Sequence, residues 1–228
     1  KGDVKGIAIS AVKSESATFQ VLPFVWQTGG DLNDYATSGA TALAYLRGLI
    51  DDGSMSEAVT NYTQEDARTQ FITGKSAMMI NGPWELATLT KDAQFDWDVA
   101  PLPKDKRAAT SMGGENVVVM NGAKQSDAAV KLAKYLTSAE GAKIYCDGSG
   151  QLSSRPDLKG KLKLSEDAKN KVFESQLADA HARAYGKDYP KISEAIQLSM
   201  QEALTGASTP EAAAKKAADT ITPLLPKN

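Results

Sequence analysis

The chain has 228 residues, a net charge of −2, one cysteine and one histidine. A near-neutral charge without a basic stripe gives no electrostatic reason to bind nucleic acid. A single cysteine excludes an internal disulfide, and one cysteine with one histidine disfavours a His/Cys metal site. No apolar run approaches the ~20 residues that span a membrane. The length fits one large domain or two small ones.

The first 52 residues predict a strand followed by helices. Val4–Ala11 alternates weakly between apolar and polar residues, which is typical of a strand. The apolar stretch Phe19–Trp26 runs into Gln27, Thr28 and a glycine pair before Asp31. This pattern favours a short buried helix and a glycine turn, but it leaves open a ligand-facing aromatic and polar cluster. Ser38–Asp52 predicts a helix with a broad apolar stripe.

The stretch Thr63–Leu86 predicts a helix, a strand and a turn. Thr63 is a candidate helix cap, and Gly74 is a natural helix stop. The apolar run Ser76–Ile80 predicts a short strand, which ends abruptly at a Gly-Pro turn carrying Trp84. An aromatic ring held at such a turn is either one wall of a pocket or part of the core, and the stretch by itself leaves both open.

The middle of the chain predicts a strand, a loop and a second strand. Phe95–Pro103 reads as a strand closed by two prolines, with Trp97 packed inside. Residues 104–111 are polar and predict a solvated loop. Two glycines and the pair Glu115 and Asn116 then precede Val117–Met120, a β-branched run. Glycines allow a ligand to approach the backbone, and a buried charge there would need a polar partner.

The rest of the chain predicts mainly helices, so the whole is an α/β chain. Arg155, in a loop before a proline, is either a surface residue or a bidentate clamp for polar groups. An aromatic and basic loop at 183–190 carries Tyr185. The helices predicted in this part are Ser126–Leu136 and Ser138–Tyr145, each starting at a serine cap, then Ser165–Ala178, one from Pro190 to Leu204, and one that begins at Thr209.

The sequence contains none of the common catalytic motifs: no nucleophile elbow, phosphate loop, dinucleotide fingerprint or zinc-protease helix. A glycosidase would need two carboxylates on either side of a bond, for which Asp31, Glu85 and Glu115 are candidates. The recurring theme is aromatic rings beside amides and carboxylates, which suits the apolar faces and hydroxyl rims of sugars. The aromatic members are Trp26, Trp84 and Tyr185, and the polar members are Gln27, Asp31, Asn81, Glu85, Glu115, Asn116 and Arg155.

Several blocks of the sequence, in order along the chain, resemble the maltose-binding-protein family of extracellular solute-binding proteins, which serve ABC sugar importers. Phe71–Trp84 is similar to the family block F-x-x-G-K-x-A-M-x-x-x-G-x-W. Phe24–Gly30 resembles its W-x-x-G-G segment. Further similar blocks are Val99–Pro103, Gly113-Gly114, Ala129–Thr137, Ser154–Asp157, Tyr189–Ile196 and Thr209–Ala213.

The resemblance implies a periplasmic-binding-protein type II-like lobe, with a mixed sheet, flanking helices and a helix-rich C-terminus. The family has two such lobes with a ligand cleft between them, and its members are longer than this chain. By analogy, residues 1–116 and 155–228 belong to the C-terminal lobe, and residues 117–154 are a hinge strand and an excursion into the N-terminal lobe. We expect that excursion to lack packing partners within this chain, and the isolated chain to bind ligand weakly.

The resemblance also implies a non-enzymatic sugar-binding component that works with ABC permease subunits at the extracellular face of the membrane or in the periplasm. It implies no cofactor and no metal, and any lipid anchor would lie outside this sequence. A non-sugar solute is the alternative ligand, and a glycosidase is a further alternative. The residues that the resemblance and the composition place at the ligand are Trp84, Trp26, Gln27, Asp31, Gly114, Glu115, Asn116, Arg155 and Tyr185.

Overall fold

A computed structural model describes residues 4–226 and divides the chain into two compact units. Unit 1 comprises the chain up to Asn81, then Leu102–Met112, and then Leu177 onward. Unit 2 comprises Gly82–Pro101 and Gly113–Gln176. These bounds differ from the predicted changes at residues 116–117 and 154–155. The assignment of segments to the lobes of a longer protein stays a prediction.

Unit 1 contains short parallel strand pairs and most of the long helices. The first pair joins β1 to β2, with Ile7 opposite Met78, and the second joins β3 to β4, with Ser111 opposite His181. The predicted mixed sheet is therefore replaced by two parallel pairs among the described residues. The elements are β1 (Lys5–Ala8), α1 (Glu15–Gln27), α2 (Tyr35–Asp51), α3 (Gln64–Ile72), β2 (Ser76–Met79), β3 (Thr110–Ser111), β4 (Ala180–His181), α8 (Tyr189–Leu204) and α9 (Pro210–Ile221).

The core of unit 1 lies between α1, α2, α8 and α9. Helices α1, α2 and α8 turn large apolar side chains inward, among them the fully buried Leu46 and Met200. In α9 the buried residues are small, because four alanines and Ile221 face α2 and α8. Small side chains allow helix backbones to approach closely, so α9 completes the core without bulky residues.

Helix α1 tolerates an internal proline because a neighbouring segment replaces the hydrogen bond that the proline removes. Pro23 has no N–H, so the carbonyl of Phe19, four residues earlier, loses its helical donor. The Ser111 hydroxyl donates to that carbonyl at 2.7 Å. This contact fixes the segment 102–112 against α1. The predicted short buried helix followed by a glycine turn is confirmed, since α1 precedes Gly29 in the left-handed region.

Helix α3 begins as its sequence predicts. The Thr63 hydroxyl accepts from the backbone N–H of Asp66, and the Asp66 carboxylate accepts from the backbone N–H of Thr63. These hydrogen bonds to the charged carboxylate hold the pKa of Asp66 below its usual value. Gly74 follows the helix at a φ of 70°, and β2 starts two residues later.

Unit 2 consists of helices and loops, and the structure describes no strand within it. Its buried apolar cluster is small, formed by Cys146, Leu158 and Leu162. Burial raises the pKa of the Cys146 thiol. The helices are α4 (Leu86–Asp92), α5 (Ser126–Leu136), α6 (Ala139–Ser149) and α7 (Ala168–Gln176).

Two predicted strands in this part of the chain are wrong. Phe95–Pro103 has no strand pairing, and neither has Val117–Met120. Pro101 and Pro103 have no N–H to donate to a ladder. The valine run has strong β-propensity, but no strand of the described residues pairs with it. The predicted helix Ser165–Ala178 is shorter, with α7 flanked by 3₁₀ turns.

The two tandem helices of unit 2 start differently from one another. Ser138 accepts from the backbone N–H of Gly141, which confirms it as the cap of α6. The predicted serine cap of α5 is wrong, since Gln125 occupies the cap position and makes no side-chain capping bond.

Among residues 4–226, none of the helices has both the length and the apolar composition of a membrane span.

Candidate functional site

Trp26, at the C-terminal end of α1, lies inside unit 1 within a hydrogen-bonded triad. Its indole Nε1–H lies 3.1 Å from Asp31 Oδ1 and 3.0 Å from the Tyr185 hydroxyl oxygen. The Tyr185 hydroxyl donates to the same carboxylate oxygen at 2.5 Å. The His181 ring stacks on the indole with 4.8 Å between ring centroids. Trp26 is 0% exposed, so its ring packs against protein on both faces.

This triad holds the loop after β4 against the end of α1. Burial, followed by the hydrogen bond to Asp31, raises the pKa of Tyr185 well above its ordinary value. The phenol therefore stays neutral and donates to the carboxylate throughout the physiological range. Asp31 also caps the 3₁₀ turn Leu32–Asp34 by accepting from the backbone N–H of Leu32. Asp31 and Tyr185 are thus joined within one unit, as positioning groups.

Gln27 is buried beside the triad and binds the segment 102–112. Its side-chain amide donates to the carbonyl of Ala109 at 3.1 Å. The Arg107 guanidinium donates to the carbonyls of Trp26 at 2.6 Å and Gly30 at 3.1 Å. A cation suits the negative end of a helix. The segment predicted as a solvated loop is therefore anchored to the end of α1.

The structure reveals a second polar cluster at the opposite end of α1, which the sequence analysis did not identify. Glu15 accepts from Arg183 Nη1 at 2.7 Å, from the Tyr189 hydroxyl, and from the Ser193 hydroxyl at 2.5 Å. Burial and the bond to Glu15 raise the pKa of Tyr189, so this phenol also stays a donor. The Arg183 guanidinium carbon lies 4.7 Å from the centroid of the Phe19 ring. We call these five residues the Glu15 cluster.

The Glu15 cluster combines fixed geometry with access to solvent. The Glu15 side chain is 49% exposed although three donors hold it. A carboxylate offers about four lone-pair sites, so it can accept a further hydrogen bond. The Gln197 amide extends the polar surface by donating to the Ser193 hydroxyl at 2.9 Å. Such a site can bind an uncharged polyhydroxyl molecule, and it needs no metal ion to do so.

Sequence reasoning missed this cluster because its members are far apart along the chain. Nothing in the sequence around Glu15 connects it to the loop at 183–190. The one available signal was that loop itself, which carries an arginine and two tyrosines before a helix-starting proline.

Trp84 in unit 2 is partly exposed, and its ring lies over Gly82. A Cβ added at Gly82 would come within 2.1 Å of the ring, so only glycine allows this close approach. Trp84 lies in the 3₁₀ turn Pro83–Glu85, which leads directly into α4. The neighbouring Glu85 is buried. A ring that is supported from below and partly open is a suitable stacking surface, and a ligand role for Trp84 stays a prediction.

The other residues of unit 2 that the sequence analysis placed at the ligand lie in loops. Gly114, Glu115 and Asn116 are exposed in a loop, with Gly114 at a φ of 155°. The Arg155 guanidinium pairs within unit 2, near the surface: Nε and Nη2 bind the Asp157 carboxylate at 3.0 Å each, and Nη1 donates to the Thr137 carbonyl. This pairing holds the pKa of the Asp157 carboxyl below its usual value. Arg155 therefore acts as an internal clamp in this structure.

The fold and these polar-aromatic clusters define the class of an α/β ligand-binding protein. No group of three histidine, cysteine, aspartate or glutamate side chains suited to a metal occurs among residues 4–226. The chain belongs to the bacterial extracellular solute-binding protein family, whose profile matches residues 3–172. The family consists of binding proteins located outside the cytoplasm. The resemblance inferred from the sequence blocks is thereby confirmed.

Solved structures confirm the predicted type of lobe. An ABC transporter solute-binding protein from Thermotoga lettingae TMO, bound with alpha-D-tagatose, has a TM-score of 0.86 at 30% identity, covering 98% of this chain and 60% of that chain. Maltose-bound MalE3 of T. maritima has a TM-score of 0.85 at 29% identity, and the match covers 97% of this chain and 61% of that chain.

A curated relative gives the same picture at the level of sequence. A Brucella abortus (strain 2308) protein that carries the name of a binding protein is 26% identical over 216 residues, covering 89% of this chain and 52% of the relative. The chain thus spans about half the length of the first curated relatives it matches.

Proposed function

We propose that this chain is the sugar-recognising part of an ABC-transporter substrate-binding protein, which captures a mono- or oligosaccharide and delivers it to the permease. Three observations support the proposal: the family, the sugars named for the two solved relatives, and the Glu15 cluster. The cluster carries the most weight because it belongs to this chain. It supplies a half-exposed carboxylate that an arginine and the tyrosine and serine hydroxyls hold in one fixed arrangement.

The chemistry of the Glu15 cluster suits a sugar better than a charged solute. Arg183 already neutralises Glu15 through their ion pair, so neither charge is left to demand a counter-ion. Carboxylate and guanidinium groups together accept from and donate to neighbouring hydroxyls. The ring of Phe19 adds an aromatic surface of the kind that sugar C–H faces prefer.

We further propose that the protein binds its ligand without catalysing a reaction. Of the glycosidase candidates, Glu85 is buried in unit 2 and Asp31 is engaged within the triad of unit 1. Glu115 is the exposed carboxylate of the three, and one carboxylate does not supply both the acid and the nucleophile. Incubation with chromogenic glycosides should release no chromophore, and turnover that depends on Glu115 would contradict this.

Calorimetric titration with tagatose and maltose tests the binding site. Glu15→Gln keeps the shape of the side chain but removes its charge, and we expect affinity to fall about 10-fold or more, since a hydrogen bond to a charged group contributes ~1.5–3 kcal/mol. Lys215→Ala is the matched control, because Lys215 pairs only with Asp219 on the outer surface of α9. Circular dichroism would confirm that both variants fold. Unchanged affinity of Glu15→Gln for every sugar bound would contradict the assignment.

A further inference from the structure

A side chain of β3 ties this strand to the half of α1 that carries the Glu15 cluster. The Ser111 hydroxyl donates to the Phe19 carbonyl at 2.7 Å. This carbonyl receives no helical hydrogen bond from the fourth following residue, because that residue is Pro23. The bonds that Gln27 and Arg107 make with backbone carbonyls lie at the C-terminal end of the helix. Ser111 therefore fixes a different part of α1 from these bonds.

The ring of Phe19 is held by the segment that follows β4. The Arg183 guanidinium carbon lies 4.7 Å from the ring centroid, and Nη1 of the same guanidinium donates to Glu15 at 2.7 Å. The Arg183 side chain is only 18% exposed, so this cation–π contact is largely removed from water. Phe19 is thus held at its carbonyl by β3 and at its ring by the chain beyond β4.

The pairing of β3 with β4 joins these two contacts into a ring. Ser111 lies opposite His181 in the parallel pair, and the Met112 N–H donates to the His181 carbonyl at 2.9 Å. Arg183 follows His181 by two residues, so contacts lead from Ser111 to Phe19, on to Arg183 and back along β4. Each strand is two residues long and offers few ladder bonds. The Ser111 bond therefore has a large share in fixing α1 against the strand pair.

We propose that Ser111 is a positioning residue for the ligand of the Glu15 cluster. By holding the Phe19 carbonyl, it sets the separation between the groups that α1 contributes, Glu15 and Phe19, and the guanidinium of Arg183. Groups that share one ligand must be held within about 0.5 Å of their working geometry. Ser111 acts through Phe19 and does not need to touch the ligand. The inference rests on the proposed function, because it takes the sugar to bind at this cluster.

The proline of α1 separates this positioning role from a purely structural one. Ser111→Ala removes both the tie to β3 and a hydrogen bond to the Phe19 carbonyl. Pro23→Ala supplies a helical N–H to the same carbonyl, which has two lone pairs and can accept from both donors. The double variant therefore restores the hydrogen bond within α1 but not the tie to β3.

Calorimetric titration with maltose and tagatose compares these variants, with circular dichroism to confirm folding. Ser111→Ala should weaken affinity about fivefold or more, which corresponds to the loss of one ordinary hydrogen bond to the ligand. The double variant should regain thermal stability relative to Ser111→Ala but bind as weakly. Double-variant affinity equal to that of Pro23→Ala would overturn the proposal, because Ser111 would then do no more than satisfy a carbonyl.

Two further variants serve as controls for the hydroxyl. Ser111→Thr keeps the donor and should keep the affinity within about twofold, since a hydrogen bond of the same kind remains. Ser10→Ala is the matched control, because the Ser10 hydroxyl also donates to a distant carbonyl of unit 1, that of Tyr62 at 3.0 Å. Its loss should leave affinity unchanged. Equal losses in Ser10→Ala and Ser111→Ala would overturn the positioning role.

A measurement without ligand distinguishes failure of this inference from failure of the proposed function. Protons over an aromatic face resonate upfield, so NMR of the ¹⁵N-labelled chain should show an upfield Nε–H signal for Arg183, assigned by its absence in Arg183→Gln. The signal should move towards that of an exposed arginine in Ser111→Ala and stay in Ser10→Ala. An unmoved signal in Ser111→Ala would overturn the inference whether or not sugar binds. A moved signal with unchanged sugar affinity would overturn it too and leave the proposed function standing, whereas an unaltered chain that binds neither sugar would contradict the proposed function.

Discussion

Helices α9 and α5 are both amphipathic, yet they lie in opposite environments. The apolar side of α9 is buried against α2 and α8, from Ala213 to Ile221. The apolar side of α5 is left in solvent, with Leu132 and Tyr135 about half exposed. The difference cannot come from the helix sequences, because both have the pattern of a half-buried helix. The difference comes from the packing partners that are available to each helix within its own unit.

The comparison indicates that unit 1 holds most of the stability of this chain. Its core includes fully buried side chains as large as Trp26 and Tyr35, and burial raises the pKa of Tyr35 to about 12. The core of unit 2 is centred on Cys146, Leu158 and Leu162. Because hydrophobic stabilisation scales with the apolar area removed from water, unit 2 should unfold more easily than unit 1.

The largest expected effect compares a buried leucine of unit 1 with an exposed leucine of unit 2. Leu46→Ala in α2, where Leu46 is 1% exposed, should lower the free energy of unfolding of unit 1 by about 2–5 kcal/mol. Leu132→Ala in α5 should change that of unit 2 by no more than about 0.5 kcal/mol in dilute solution. Urea unfolding followed by tryptophan fluorescence measures both, since Trp26 reports on unit 1 and Trp84 and Trp97 report on unit 2. Equal losses would contradict the comparison.

A pair of glycines in α6 tests how tightly the small unit is packed. A Cβ added at Gly141 would lie 2.2 Å from the carbonyl oxygen of Tyr135, whereas one at Gly148 would meet nothing. We expect Gly141→Ala to destabilise unit 2 by about 1–3 kcal/mol because α5 must move away. Gly148→Ala should be neutral or stabilising by up to about 1 kcal/mol. Thermal unfolding compares the two, and a harmless Gly141→Ala would show that α5 and α6 do not depend on this contact.

The triad of unit 1 should make its stability sensitive to alkaline pH. The pKa of Tyr185 is raised in the folded state above its unfolded value of about 10. The contribution of Tyr185 to the free energy of unfolding is therefore fully present below pH ~10. It is lost as the pH rises from there towards the pKa of Tyr185 in the folded state. Tyr185→Phe should lower the free energy of unfolding by about 1.5 kcal/mol near neutral pH, since a hydrogen bond to a carboxylate is lost.

Urea titrations between neutral and alkaline pH measure this dependence. The variant Tyr185→Phe should show a smaller loss of stability above pH ~10 than the unaltered chain. An identical slope in both proteins would mean that the triad does not form in solution. Tyr45→Phe, at an exposed position on α2, is the control and should leave the slope unchanged.

The smallest expected effect concerns helix caps. Thr209 and Ser138 make the same bond, in which the hydroxyl accepts from the N–H of the third following residue, at 3.2 Å in each case. Replacement of Thr209 by alanine should lower the free energy of unfolding of unit 1 by about 1 kcal/mol. Ser138→Ala should cost a similar amount in unit 2 and leave the unfolding of unit 1 unchanged. A shift of both transitions by either variant would show that the units unfold as one.

Local signals in the sequence predicted much of the fold. The helix cap at Thr63, the glycine stop at Gly74 and the proline start of α8 all depend on neighbouring residues, so they could be recognised from the sequence. The predictions of strands at 95–103 and 117–120 were wrong because a strand needs a partner strand as well as a suitable sequence pattern. Pro23 within α1 depends on Ser111, which lies far along the chain.

The candidate site was less predictable than the fold. Composition grouped Trp26, Asp31 and Tyr185 with seven other residues as ligand contacts, but it could not show that the polar atoms of these three bind one another in the interior. Glu15 received no attention, because its arginine, tyrosine and serine partners lie more than 160 residues away. Pairing across such distances is a property of the fold.

Residue-resolved NMR titration of the ¹⁵N-labelled chain with maltose and tagatose tests the proposed function most directly, because it detects even the weak binding that the resemblance implies. We predict saturable shifts concentrated at the backbone amides of Glu15, Phe19, Arg183, Tyr189 and Ser193, and their loss in Glu15→Gln but not in Lys215→Ala. Saturable shifts elsewhere that leave these five amides unmoved, or no saturable shift with either sugar, would contradict the account.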